Sequence, residues 1–235
     1  MYSDGSDSIV NSLYWRNYVE PEVFDVWLHY MHPEAIVLDI GANTGFYSLL
    51  TAHLAPQARV FAFEPVPRVL QFLEKNIELN KLAHQIQICP EVVSNQIGST
   101  EFYVVDSLTL PLGSSQNEAF RSRDYRTQKI SVPMNTVDHF LGAFELPHLD
   151  LIKIDTESTE HLVCEGMLQT IEKYRPAIIC EILSDFVGES VQKLLEPFDY
   201  EYFFITHDGL EATDKMKRKP GSDNLLLKPK IKTND

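Results

Sequence analysis

Two glycines set between an apolar run and a helical pattern constrain this chain more than any other feature. Ile36-Val37-Leu38 leads into Asp39-Ile40-Gly41-Ala42-Asn43-Thr44-Gly45, and Phe46-Tyr47-Ser48-Leu49-Leu50 follows. The order is strand, glycine-rich turn, helix. Glycine lets a backbone pass where a Cβ would collide, and a helix start offers N–H groups with no intrahelical partner. A second apolar run, Val60-Phe61-Ala62-Phe63, ends on Glu64. A carboxylate at the end of the next strand, about 20 residues beyond such a turn, suits the two hydroxyls of a ribose. The pattern predicts a ligand that contains a nucleoside.

Strands and helices alternate from residue 36 onward. Strands are predicted at Ile36–Ile40, Val60–Glu64, Ile86–Cys89, Leu149–Ile154 and Ala177–Ile182, with helices at Phe46–Leu54, Arg68–Asn80, Thr159–Lys173 and Ser190–Leu195. Repeated β-α units build a parallel sheet covered on both faces. Its ligands belong at the carboxyl ends of the strands. Glu101–Val105 reads as a short extra strand, and Tyr200–Ile205 and Asn224–Leu227 as late strands able to pair antiparallel. Residues 1–33 read as a helical extension or lid, with one helix over Glu22–Met31, and residues 34–235 as the main domain. On the polar loop 106–127, Arg121, Arg123 and Arg126 suit an anionic acceptor, and 206–222 reads as a second loop.

A net charge of −14 argues against nonspecific binding to nucleic acid or to an anionic membrane. No apolar run approaches the ~20 residues of a membrane span. Three cysteines without a C-x-x-C pair fit reduced thiols, and the N-terminus lacks a signal-peptide pattern, so a cytoplasmic location is expected.

A nicotinamide dinucleotide wants G-x-G-x-x-G, but Asn43 and Phe46 hold the second and third glycine positions. V-L-D-I-G-A-N-T-G-F-Y-S (37–48), F-A-F-E-P-V-P (61–67) and L-I-K-I-D-T-E-S-T-E (151–160) resemble the FkbM family of S-adenosylmethionine-dependent methyltransferases. Tyr18-Val19-Glu20-Pro21 and Asp223-Asn224-Leu225-Leu226 resemble its flanking segments. The resemblance implies a class I methyltransferase (Rossmann-like) α/β fold. In that fold a seven-stranded, mostly parallel sheet carries helices on both faces and a late antiparallel strand. It also implies cofactor contacts from Asp39, Gly41, Asn43, Thr44, Gly45, Phe46, Glu64, Pro65 and Asp155. Position after the third strand adds Glu91, Val92 and Val93 at the adenine.

The implied activity is O-methylation of a hydroxyl on a saccharide or secondary metabolite. N-methylation on the same fold and a silent S-adenosylmethionine-binding scaffold are the alternatives. Asp155, Glu157 and Glu181 end strands or follow them, and are the expected catalytic carboxylates. Crowded carboxylates raise one another's pKa and make a base. The same three are the expected ligands if a divalent cation takes part. Ser158 stands where the family commonly has Gly, and a Ser there predicts a different local backbone. His29 and His32 are spaced for one helix face and show no acidic partner in the sequence.

Overall fold

The computed structural model describes residues 1–16, 19–105, 115 and 127–230. Two helices, α1 (Ser8–Arg16) and α2 (Pro21–His29), precede the sheet. The main alternation runs β1 (Ile36–Ile40), α3 (Phe46–Leu54), β2 (Arg59–Phe63), α4 (Pro67–Asn80) and β3 (Ile86–Cys89). A small insertion follows: β4 (Val92–Val93), β5 (Gly98–Val105) and β6 (Thr127–Asn135). The chain continues through α5 (Val137–Leu141), β7 (Leu151–Ile154), α6 (Glu160–Glu165), α7 (Leu168–Tyr174), β8 (Ala177–Glu181) and α8 (Asp185–Leu195). It closes with β9 (Tyr200–Thr206), β10 (Gly209–Thr213) and β11 (Asn224–Pro229).

The eight-stranded sheet has the order β10-β9-β11-β8-β7-β1-β2-β3. From β3 to β8 every pairing is parallel, and β11 lies antiparallel between β8 and β9. The seven expected strands are present, and β10 adds an antiparallel edge to β9 inside the stretch expected to be a loop. The order reverses between β1 and β7, where chain order sends consecutive strands to opposite sides. A crevice opens there at the carboxyl ends.

Strand alternation divides the core. Ile36, Leu38, Ile40, Phe61, Phe63, Ile152, Ile154 and Ile178 face α5 to α8. Val37, Val60, Ala62, Leu151 and Ile179 face α2 and α3. Every residue of β1 and β7 is buried, as parallel strands covered on both faces require. Polar residues on these strands, Asp39 and Lys153, therefore need partners inside the protein.

The N-terminal segment differs from the expected single helix. α2 ends at His29, so His32 lies beyond it. Trp27 is fully buried, donates from Nε1 to Thr51 Oγ1 at 3.0 Å and packs on Tyr47. α2 is thereby part of the core that covers α3. The predicted helix over 159–173 is two helices, because Gly166 passes against Ser94: a Cβ there would lie 2.1 Å from the Ser94 carbonyl oxygen. The predicted short strand at Glu101–Val105 is the end of β5, which pairs with β6 in a second sheet beside α4.

Candidate active site

The crevice between β1 and β7 holds a cavity of about 370 Å³. It is built first by the turn after β1, where Gly41, Asn43 and Gly45 all have positive φ (86°, 51° and 91°). A Cβ on Gly41 would lie 1.9 Å from the Asp155 carbonyl oxygen, and one on Gly45 would lie 2.5 Å from Leu73 Cδ1. The sequence assigned these glycines to close approach by a ligand. The structure gives a nearer cause, the approach of the β7 end and of α4.

Several of the turn's N–H groups are already engaged. Gly41 and Ala42 both donate to the Phe63 carbonyl (3.0 and 2.9 Å). Asn43 donates to Glu64 Oε2 at 3.1 Å, and Val66 donates to Glu64 Oε1 at 2.9 Å. Glu64 is thus locked at the end of β2, with lone pairs left over on both oxygens. Burial pushes its carboxyl up to about 7, against the pull of those two N–H groups.

Asp39 and Lys153 are register partners on β1 and β7. Ser48 Oγ donates to Asp39 Oδ2 at 2.6 Å, and burial raises the Asp39 carboxyl. Lys153 Nζ donates to Asp155 Oδ2 at 2.6 Å and lies 5.2 Å from the Tyr47 ring centroid. Burial alone would lower the Lys153 pKa. The combined fields of Asp155, Glu20 and Asp39 outweigh it and hold the ammonium charged. Glu181 is hydrogen-bonded to Asp155, and burial followed by the Asp155 and Glu157 charges lifts its carboxyl well above the ordinary range.

Of the expected site residues, Asp39, Gly41, Asn43, Phe46, Glu64, Pro65, Glu91, Val92, Val93, Asp155, Glu157 and Glu181 line the cavity. Thr44 and Gly45 stand behind it: Thr44 is fully buried, and its carbonyl accepts from Asn76 Nδ2 at 2.8 Å. Glu91 is held by Asn135 Nδ2 at 3.2 Å. Among the described residues, Asp155, Glu157 and Glu181 do not converge as a three-ligand cluster for an ion. His207 is exposed and 3.8 Å from Glu22, and His161 packs edge-on against Phe186; neither lines the cavity. Arg121, Arg123 and Arg126 lie outside the described residues.

Several lining residues carried no site assignment in the sequence. Ile9, Val19 and Glu20 come from the N-terminal segment, and Phe102 from β5. Glu20 accepts from Tyr47 Oη at 2.9 Å and from Asn224 Nδ2 at 3.3 Å. The hint lay in Glu20-Pro21, since proline favours a helix start. Only the fold shows that this start faces the cavity.

The loop after β7 corrects another expectation. Ser158 keeps a left-handed backbone, φ 76°, next to Glu157 at φ 56°. The residue changes and the backbone does not, because Glu160 holds the loop from inside. Its Oε1 accepts from Thr156 N (3.0 Å), Thr156 Oγ1 (3.1 Å) and Ser158 N (3.2 Å). Glu160 is fully buried and absent from the cavity wall.

The fold is that of class I methyltransferases. A crystal structure of a methyltransferase FkbM from Methylobacillus flagellatus KT superposes with a TM-score of 0.55 at 14% identity, covering 83% of this chain and 44% of that one. Residues 39–204 match the methyltransferase FkbM domain family, and the chain belongs to that family. The AMB antimetabolite synthetase AmbE of Pseudomonas aeruginosa is 48% identical over 219 aligned residues, covering 78% of this chain and 10% of that protein. The 31-O-demethyl-FK506 methyltransferase FkbM of Streptomyces tacrolimicus is 27% identical over 161 residues, covering 58% of this chain and 61% of that enzyme. The chain thus spans less than two thirds of these relatives' length.

Two outcomes follow from the loop after β7. Ser158→Gly should stabilise the chain by about 1 kcal/mol, because a left-handed non-glycine residue costs roughly 1–2 kcal/mol. Urea denaturation measures this, and no gain would mean that the loop relaxes without strain. Burial pushes the Glu160 carboxyl up to about 7 from 4.5. The folded chain therefore holds that proton more tightly than the unfolded chain does. The resulting stability is complete below 4.5 and is lost as pH rises through about 7. Glu64 contributes with the same sign. Glu160→Gln keeps the Oε1 acceptor and cannot ionise, so it should lessen the fall in Tm between pH 5 and 8.

Proposed function

We propose that the chain transfers a methyl group from S-adenosylmethionine to a hydroxyl of a small-molecule acceptor, a saccharide or a secondary-metabolite intermediate. The observation that carries this reading is the chemistry of the cavity wall. Among the described residues, seven carboxylates line it (Glu20, Asp39, Glu64, Glu91, Asp155, Glu157 and Glu181) against the single ammonium of Lys153. A pyrophosphate would meet repulsion there, and the Gly41, Ala42 and Asn43 N–H groups of the turn are spent on Phe63 and Glu64. A cationic ligand with a ribose fits the same donor set.

S-adenosylmethionine, when bound, supplies an electrophilic methyl on a sulfonium. Glu64 accepts the ribose hydroxyls with its remaining lone pairs. Glu91, Val92 and Val93 border the adenine, with the buried ring of Phe102 beside them. Asp39 and Glu20 favour the positively charged methionine end. Asn43 and Phe46 shape the near wall, and α1 with Val19 and Glu20 acts as a lid over it. The Asp155–Glu181 pair takes the proton from the acceptor hydroxyl. Lys153 keeps Asp155 aimed. Hydroxyl acceptance is supported by the name of the Streptomyces relative, and a biosynthetic setting by that of the Pseudomonas synthetase.

Among the described residues, no helix is long and apolar enough to cross a membrane. The proposed setting is the cytoplasm, with a small-molecule acceptor.

Calorimetric titration with S-adenosylhomocysteine tests the donor half. Glu64→Ala should weaken binding by about 1.5–3 kcal/mol, the worth of hydrogen bonds to a charged group. Unchanged affinity would place the ribose elsewhere, and binding of NAD in its stead would overturn the reading. For the acceptor half, Glu181→Gln should lower kcat by about 10²–10⁴-fold and leave S-adenosylhomocysteine affinity near wild type. A kcat that does not move would remove Glu181 from proton transfer.

A further inference from the structure

We infer that the opposite edge of the sheet carries a zinc site made by His32, His148 and Asp150. Among the described residues this is the place where three such ligand atoms come within 4.8 Å of one another. Both imidazoles turn Nε2 toward one carboxylate: His32 Nε2 is 3.1 Å from Asp150 Oδ1, and His148 Nε2 is 3.3 Å from Oδ2. The Glu34 carbonyl oxygen lies 3.2 Å from His148 Nε2. Ligands held tetrahedrally at 2.0–2.1 Å from zinc stand about 3.3 Å apart. Each imidazole Nε2 stands about that far from one oxygen of the Asp150 carboxylate, and the three ligand atoms lie within 4.8 Å of one another. Two imidazoles with one carboxylate form a set suited to zinc rather than to magnesium or calcium. The carbonyl or a water completes four ligands.

The ligands sit on rigid backbone. Asp150 is pinned by three bonds: Ile36 N donates to its Oδ2 (2.8 Å), its own N–H donates to the Ile36 carbonyl (3.0 Å), and Ala177 N donates to its carbonyl (3.0 Å). His32 precedes Pro33, which biases its backbone toward the extended region. His148 follows Pro147 and precedes Leu149, which is 3% exposed. The two rings are half-exposed, so they can rotate onto an ion that arrives from solvent. A carboxylate between two imidazoles without metal is the competing account, and it predicts no response to zinc.

The site would join the segment after α2 to the loop before β7, at the amino ends of β1 and β7. The cavity lies at the other ends, so the ion would act on stability and leave methyl transfer alone. This inference is independent of the proposed activity.

The test uses untagged full chain, stripped with chelator and dialysed. Zinc chloride should leave one zinc per chain by elemental analysis. At zinc 100-fold above its Kd, linkage adds about 2.7 kcal/mol, which is a Tm rise of about 5–10 °C for a chain this size. Magnesium chloride should give no rise. His148→Gln and His32→Gln should each lose the zinc response while keeping the wild-type Tm in chelator. If either variant fails to fold, the visible spectrum of wild-type chain with cobalt(II) decides between tetrahedral nitrogen–oxygen ligation and none. No retained zinc, or the same Tm rise in the histidine variants, would overturn the site.

Discussion

The ammonium of Lys153 is the charge on which the cleft depends. It is 3% exposed, and an unpaired ammonium at such a depth is untenable. Asp155 bonds it directly, Asp39 sits across from it in register, and the Tyr47 ring covers it. Those three groups come from the residue after β7, from β1 and from α3. One cation therefore ties together the elements that form the floor of the cavity. It also lets Asp39, Asp155 and Glu181 gather at one sheet edge. Breaking a buried pair by deleting one partner costs far more than the pair itself contributes, because the other charge stays behind.

Much of the fold was legible because it rests on local pattern. β1, α3 and β3 have the bounds that apolar runs and glycine punctuation indicate. What stayed hidden depends on distant packing. The helix break at Gly166 arises from a carbonyl at Ser94, far away in the chain. β6 alternates weakly, with only Val132 and Met134 buried, so its pairing with β5 has little sequence trace. β10 is an exposed edge whose short run reads as loop until β9 offers it hydrogen bonds.

The candidate site divides the same way. Asp39, Glu64, Asp155 and Glu181 were readable because each lies at or beside the carboxyl end of a strand, and those ends meet at one edge. Glu20 was not, since nothing local says that a residue before a helix will reach Tyr47. His32 lacked an acidic partner along the sequence and finds Asp150 across the fold. Ser158 shows the converse. Local propensity argued for a changed backbone, and three hydrogen bonds to Glu160 override it.

Glu20 has a consequence for the order of assembly. Its carboxylate bonds Tyr47 on one side and Asn224 on the other, a separation of 204 residues in the second case. Asn224 opens β11, which enters the sheet between β8 and β9. Pairings between distant segments form late and slowly. A nascent chain can assemble the β1 turn and Glu64 early, yet the wall that Glu20 completes waits for the final strand. A ribosome-bound fragment lacking β11 leaves Glu20 with Tyr47 but without Asn224.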